Sequence, residues 1–173
     1  MSRAFVSDDA PDEPPIIPPR APLPAGVPNY VTPRGLDLLH EEQEALEAER
    51  QRLVGARLTA QGPDEADRQR RLAVVAGRLR DLVPRIAAAQ PVDPRRQTAG
   101  VVRFGARVAL RGADGSVREL QIVGVDEADA AQGRVAFTSP VARALTGARV
   151  GDAVELRTPA GVETVTVEGA EYG

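Results

Sequence analysis

Three carboxylates, Asp64, Glu65 and Asp67, fall within four consecutive positions directly after Gly62-Pro63. If the helical patterns on either side of them pair, these side chains form the carboxylate-bearing tip of a rod, a part suited to reaching into something else. They also suit the first turn of a helix, where the helix dipole favours negative charge by about 0.3–1 kcal/mol. Read alone, the residues favour the second account, because Gly62 breaks a helix and Pro63 fits a first helical position. A chemical role depends on the elements that present them.

Those elements are two helical patterns. Thr32 can cap free backbone N–H groups and Pro33 suits the start of the first helix. Leu39, Leu46 and Leu53 then recur every seven residues, with Ala56 extending the stripe. The intervening positions are mostly polar, so the seam is thin and fits one partner helix. The second pattern, Leu72, Val75, Leu79, Leu82, Ile86 and Ala89, alternates spacings of three and four, which is a heptad seam. Pro84 is expected to kink or shorten this helix near its end. Glu41, Glu42, Glu44, Glu47 and Glu49 make the first arm acidic, whereas Arg68, Arg70, Arg71, Arg78, Arg80 and Arg85 make the second basic. Residues 30–90 therefore read as an antiparallel coiled-coil hairpin, with the three carboxylates at its tip.

Before the hairpin, residues 1–29 contain eight of the fifteen prolines and read as a disordered, proline-rich tail. After it, residues 91–98 read as a linker. Residues 99–173 then change to short β-type runs at 101–110, Val117–Val123, 134–137, 153–157 and 163–167, with a short helix at Pro140–Leu145 capped by Thr138 or Ser139. Five strands and one helix make a small α+β domain. Phe104 and Phe137 are assigned to its core.

Composition removes several functions. There is no Cys, so neither disulfides nor thiolate metal sites are available, and the lone His40 cannot build a multi-histidine centre. All 22 basic residues are Arg and the formal charge is −3, which gives no general polyanion-binding signal. No apolar run of about 18 residues and no apolar leader occur, so the expected setting is the cytoplasm, without membrane contact. A monomer without a small-molecule substrate is expected.

From residue 31 onward the chain resembles the Gre family of bacterial transcript-cleavage factors. The matching words are Val31-Thr32-Pro33-Arg34-Gly35, Phe104-Gly105-Ala106, Gln121-Ile122-Val123-Gly124-Val125-Asp126-Glu127-Ala128-Asp129, Ser139-Pro140-Val141-Ala142-Arg143-Ala144-Leu145, Gly151-Asp152, Thr158-Pro159-Ala160-Gly161 and Glu171-Tyr172. The resemblance implies that residues 99–173 form an FKBP-like domain that docks on RNA polymerase at its secondary channel. Ser139, Pro140, Val141 and Arg143 match the docking motif. It further implies that the coiled coil reaches the active centre, where Asp64, Glu65 and Asp67 assist catalysis. Asp64 and Asp67 are then the ligands for a Mg²⁺ ion shared with the polymerase, and the chain has no cofactor of its own.

On this account the factor is not itself an enzyme, and the polymerase cleaves a backtracked transcript whose 3′ end could touch Arg70 and Arg71. A solvated basic face is the plainer account of those arginines. At the tip the chain departs from the family. Asp64 stands at the family's Glu, Glu65 at its Asn and Arg68 at its aromatic position, and the first family Asp has no clear match. The first arm also reads about five residues short, on the order of 7 Å of reach. These departures keep open an alternative, a channel-binding regulator without cleavage activity. A prolyl isomerase is a further alternative, for which the chain has few aromatic residues.

Overall fold

The computed structural model describes residues 15–56, 63–158 and 161–172. Two long helices form the first body: α1 (Pro33–Gly55) and α2 (Pro63–Ala87). Thr32 caps α1 as expected, its hydroxyl accepting the Gly35 N–H at 2.8 Å, with Pro33 opening the helix. The apolar seams meet in a cluster of Val31, Leu39, Leu46, Val75, Leu79 and Leu82, flanked by half-buried Leu36, Leu53, Ile86 and Ala89. Ala56 does not extend this stripe; it is the exposed C-cap residue of α1. Pro84 lies inside α2, which ends within one turn of it, so the missing N–H removes one hydrogen bond near a terminus that is ending anyway. His40 is exposed on α1.

Of the pairs expected between acidic and basic arms, Glu42–Arg78 (3.4 Å) joins the helices directly, whereas Arg68, Arg71 and Arg80 pair with acids of α2 itself. Apolar packing therefore holds the helices together and charge contributes little, since exposed pairs are each worth about 0–1 kcal/mol.

The hairpin is closed at its base by a two-stranded parallel sheet, β1 (Asn29–Val31) with β2 (Ala89–Pro91). The stretch expected to be a linker is packed: Pro94 in a short 3₁₀ turn is buried, capped by Asp93, whose side chain accepts the Arg95 N–H. The described part of the expected disordered tail, residues 15–28, also makes specific contacts. Arg20 donates to both oxygens of Glu42 (3.0 and 3.1 Å) and to Asp126 (3.1 Å), and Arg85 donates to the Ala21 carbonyl at 2.5 Å. Ile17 lies over Gly77 so closely that a Cβ there would stand 2.1 Å from its Cδ1. Composition did not anticipate this segment, because its ordering is offset by contacts with a surface remote in sequence.

The second body is a five-stranded sheet in the order β5-β4-β3-β7-β6, built from β3 (Arg107–Gly112), β4 (Val117–Val123), β5 (Arg134–Ala136), β6 (Ala153–Thr158) and β7 (Gly161–Glu171). Helix α3 (Pro140–Leu145) packs on β6 and also touches β5, so it spans the two edges of a curled sheet. Alternating positions Val108, Leu110, Leu120, Ile122, Val165 and Val167 face the core, joined by Leu145 and Leu156. The strand expected over 101–110 is shorter, because Gly105, at a φ of 86°, turns the chain before β3 begins.

The two bodies meet through the chain just after β4. Gly124 lets the hairpin base approach closely; a Cβ at this position would lie 2.8 Å from the Tyr30 carbonyl oxygen. Buried Glu127 accepts the Thr32 hydroxyl at 2.5 Å and pairs with Arg34 at 3.6 Å. Asp126 pairs with Arg20 at 3.1 Å and faces Arg85 at 3.5 Å, the latter an attraction without a hydrogen bond. Burial opposes the Arg20 charge, but hydrogen bonding to Glu42 and the Asp126 carboxylate outweigh it, so its pKa is raised.

Candidate functional site

The seam of α2 does not stop at Leu72. Continuing its alternation of three and four toward the N-terminus places Arg68 and then Glu65 on the same face. The structure follows this rule. Arg68 is only 8% exposed; its Nε donates to Glu65 Oε2 at 2.7 Å, its Nη2 to Glu65 Oε1, and its Nη1 to the Leu53 carbonyl of α1 at 3.0 Å. The Glu65 Oε1 atom also accepts from Gln69 Nε2 at 2.8 Å. A forked guanidinium thus replaces apolar packing where the seam nears the tip.

Asp64 and Asp67 lie on another face. Both are exposed and, three residues apart, neighbours on the helix surface. Asp67 pairs with Arg71 at 3.0 Å, one turn on, in a solvent-facing pair. Asp64 makes no side-chain hydrogen bond or ion pair among the described residues. Gln61 and Gly62, the rest of the expected tip, lie outside the described residues. No group of three acidic or histidine side chains able to hold a metal ion occurs among the described residues. Asp64 and Asp67 are thus two exposed carboxylates that by themselves fall short of a complete cation site. Glu65 is engaged within the fold. α1 and α2 contain 23 and 25 residues, which sets these acids about 35 Å from the hairpin base.

The other expected site residues gather on the sheet domain. Ser139 caps α3, its hydroxyl accepting the Ala142 N–H at 3.2 Å, and half-buried Val141 packs against the sheet core. Pro140 and Arg143 are exposed. Beside them is a hollow of about 410 Å³ lined by Val27, Tyr30, Phe104, Phe137, Thr138 and Arg143, among others. Phe137 packs against the edge of the sheet core, as expected, whereas Phe104 is not part of that core. They are half-buried, and with Tyr30 from the hairpin base they form a triangle of ring centroids 5.6–5.8 Å apart. The core is filled by aliphatic side chains, which leaves the rings to join the two bodies at the wall of the hollow.

Sequence reasoning did not find the structural roles of Arg68, Tyr30, Asp126 and Glu127. The first was detectable by continuing the heptad through polar residues; the others take their roles from contacts between distant segments.

Comparison with known proteins places these features in a group. Residues 97–172 match the family model "Transcription elongation factor, GreA/GreB, C-term". The chain is 37% identical over 153 residues to transcription elongation factor GreB of Neisseria meningitidis, covering 83% of this chain and 94% of that protein. It is 39% identical over 98 residues to GreA of Sinorhizobium medicae, covering 56% and 62%. Among solved structures it is similar to a GreA/GreB factor from Nitrosomonas europaea, at 22% identity and TM-score 0.41 over 84% of this chain and 99% of that one. It is also similar to GreA factor homolog 1 of Thermus thermophilus, at 22% identity and TM-score 0.40 over 82% and 97%. With the identity to the Neisseria protein extending over most of both chains, the chain belongs to the GreA/GreB family of transcription elongation factors.

Proposed function

We propose that the chain docks on RNA polymerase through its sheet domain and inserts the hairpin into the secondary channel, where it stimulates the polymerase's own cleavage of backtracked RNA. The observation that carries this reading is Asp64: an exposed carboxylate without a partner among the described residues, in the first turn of α2, about 35 Å from the base of a rod. Asp67, on the same surface, is the second carboxylate, reached by exchanging its exposed pair with Arg71. The Mg²⁺ ion in the polymerase would polarise the scissile phosphate and activate a water. The chain contributes negative oxygen ligands, holds them on a rigid helix end, and presents Arg70 and Arg71 on the next turn near the RNA 3′ end. On the sheet domain, Ser139, Pro140, Val141 and Arg143 beside the aromatic hollow form the docking surface. The chain acts as a monomeric accessory factor in the cytoplasm and requires no cofactor of its own. Among the described residues no helix is long and apolar enough to cross a membrane.

The test is a purified, backtracked polymerase complex mixed with the factor. Shortened RNA and a released 3′ fragment are expected, and Asp64→Ala should lower the rate at least about tenfold without loss of binding. Binding without cleavage by the unaltered chain would sink the cleavage role and favour the second reading, a regulator that occupies the channel. The capture of Glu65 by Arg68 and of Asp67 by Arg71 supports that alternative.

A further inference from the structure

We propose that Arg68 is a positioning residue of the tip: by joining Glu65 to the last turn of α1 it holds the first turn of α2 so that Asp64 is turned outward. The proposal deepens the reading above, on which Asp64 is offered to the metal. Its ground is geometric. An arginine is rarely this buried unless paired, and Arg68 directs Nε and Nη2 to Glu65 while Nη1 bonds the Leu53 carbonyl at 3.0 Å. That carbonyl belongs to the final turn of α1, where carbonyls run out of helical donors. One planar fork therefore fastens the end of one helix to the beginning of the next.

The consequence for Asp64 follows from helix geometry. Consecutive residues are about 100° apart around the axis. Glu65 is held by Arg68, whose Nη1 bonds α1, so Asp64 lies about 100° around the axis from Glu65 and off the face that meets the partner helix, with Asp67 beside it. The same fork decides which carboxylate is displayed, because Glu65 could approach a cation only by leaving Arg68 and Gln69. Lysine cannot substitute fully: its single ammonium lacks the fixed fork that reaches two partners on different helices. Misplacing a reacting or ligating group by about 1 Å can cost on the order of a hundredfold in rate.

The experiment compares the unaltered chain with Arg68→Met, which keeps an apolar stem in the seam, Arg68→Lys, and Asp64→Ala. Hydrogen exchange of the free proteins gives the first readout. Arg68→Met is expected to speed exchange in segments 53–56 and 64–68 by roughly fivefold or more while the sheet domain is unchanged; equal exchange in the tip would overturn the proposal. The second readout is cleavage by a backtracked polymerase across factor concentrations. Arg68→Met should lower the maximal rate by about tenfold or more with the half-saturating concentration held within about threefold, and Arg68→Lys should fall between. An unchanged maximal rate in Arg68→Met overturns the positioning role. If the unaltered chain gives no cleavage, the functional reading has failed, and the exchange measurement still decides whether Arg68 orders the tip.

Discussion

The base and tip of the hairpin solve the same problem with different chemistry. At the base, Leu39 and Leu82 are almost fully buried, β1 pairs with β2, and Glu127, Asp126 and Tyr30 tie the helices to the sheet domain. Toward the tip the seam passes through half-buried Leu53 and Leu72 and ends in the polar pair Arg68 and Glu65. Apolar packing is non-directional and roughly proportional to area, so the base gains stability from many contacts. A guanidinium fork contributes less net stability but fixes direction. On the proposed reading, a terminus that presents a carboxylate at a defined angle is served by the second arrangement, and a joint that resists unfolding by the first.

The comparison makes graded predictions. Leu82→Ala should have the largest effect, about 2–5 kcal/mol in urea unfolding, since it empties the best-packed position of the seam. Leu53→Ala should cost about 1–2 kcal/mol, because part of its side chain already meets water. Equal losses at the two positions would break the contrast between base and tip. Gly77→Ala should change global stability least, by less than about 1 kcal/mol, because a gain in helix propensity is set against displacement of Ile17. It should nevertheless release residues 15–21 and speed tryptic cleavage after Arg20; unchanged cleavage would mean that Ile17 does not anchor the segment.

Much of this fold was legible because the signals are local. Thr32-Pro33 starts a helix, Ser139-Pro140 starts another, and the alternation in Val117–Val123 reproduces β4. The hairpin follows from two seams. Arg68 was read as a basic residue of the second arm and not as part of the seam, because a search for apolar periodicity stops at Leu72, although the spacing itself continues. Tyr30, Phe104 and Phe137 could not have been grouped from sequence, since three rings far apart in the chain meet only when the sheet is docked. The same holds for Arg20, whose proline-rich surroundings suggest solvent, while its partners Glu42 and Asp126 lie on two other elements. The tip carboxylates were identifiable by type and spacing; which of them faces outward required the partner helix.

The parallel pairing of Asn29 with Ala89, Tyr30 with Gln90 and Val31 with Pro91 brings the outgoing and returning chain to one point. From the standpoint of the sheet domain, everything between is an insert of arbitrary length. Adding or deleting seven residues in each arm would preserve the seam and move the tip by about 10 Å while leaving the joint untouched. Such a molecule is an interchangeable gauge: the depth it probes can be reset by whole heptads, independently of where it is held.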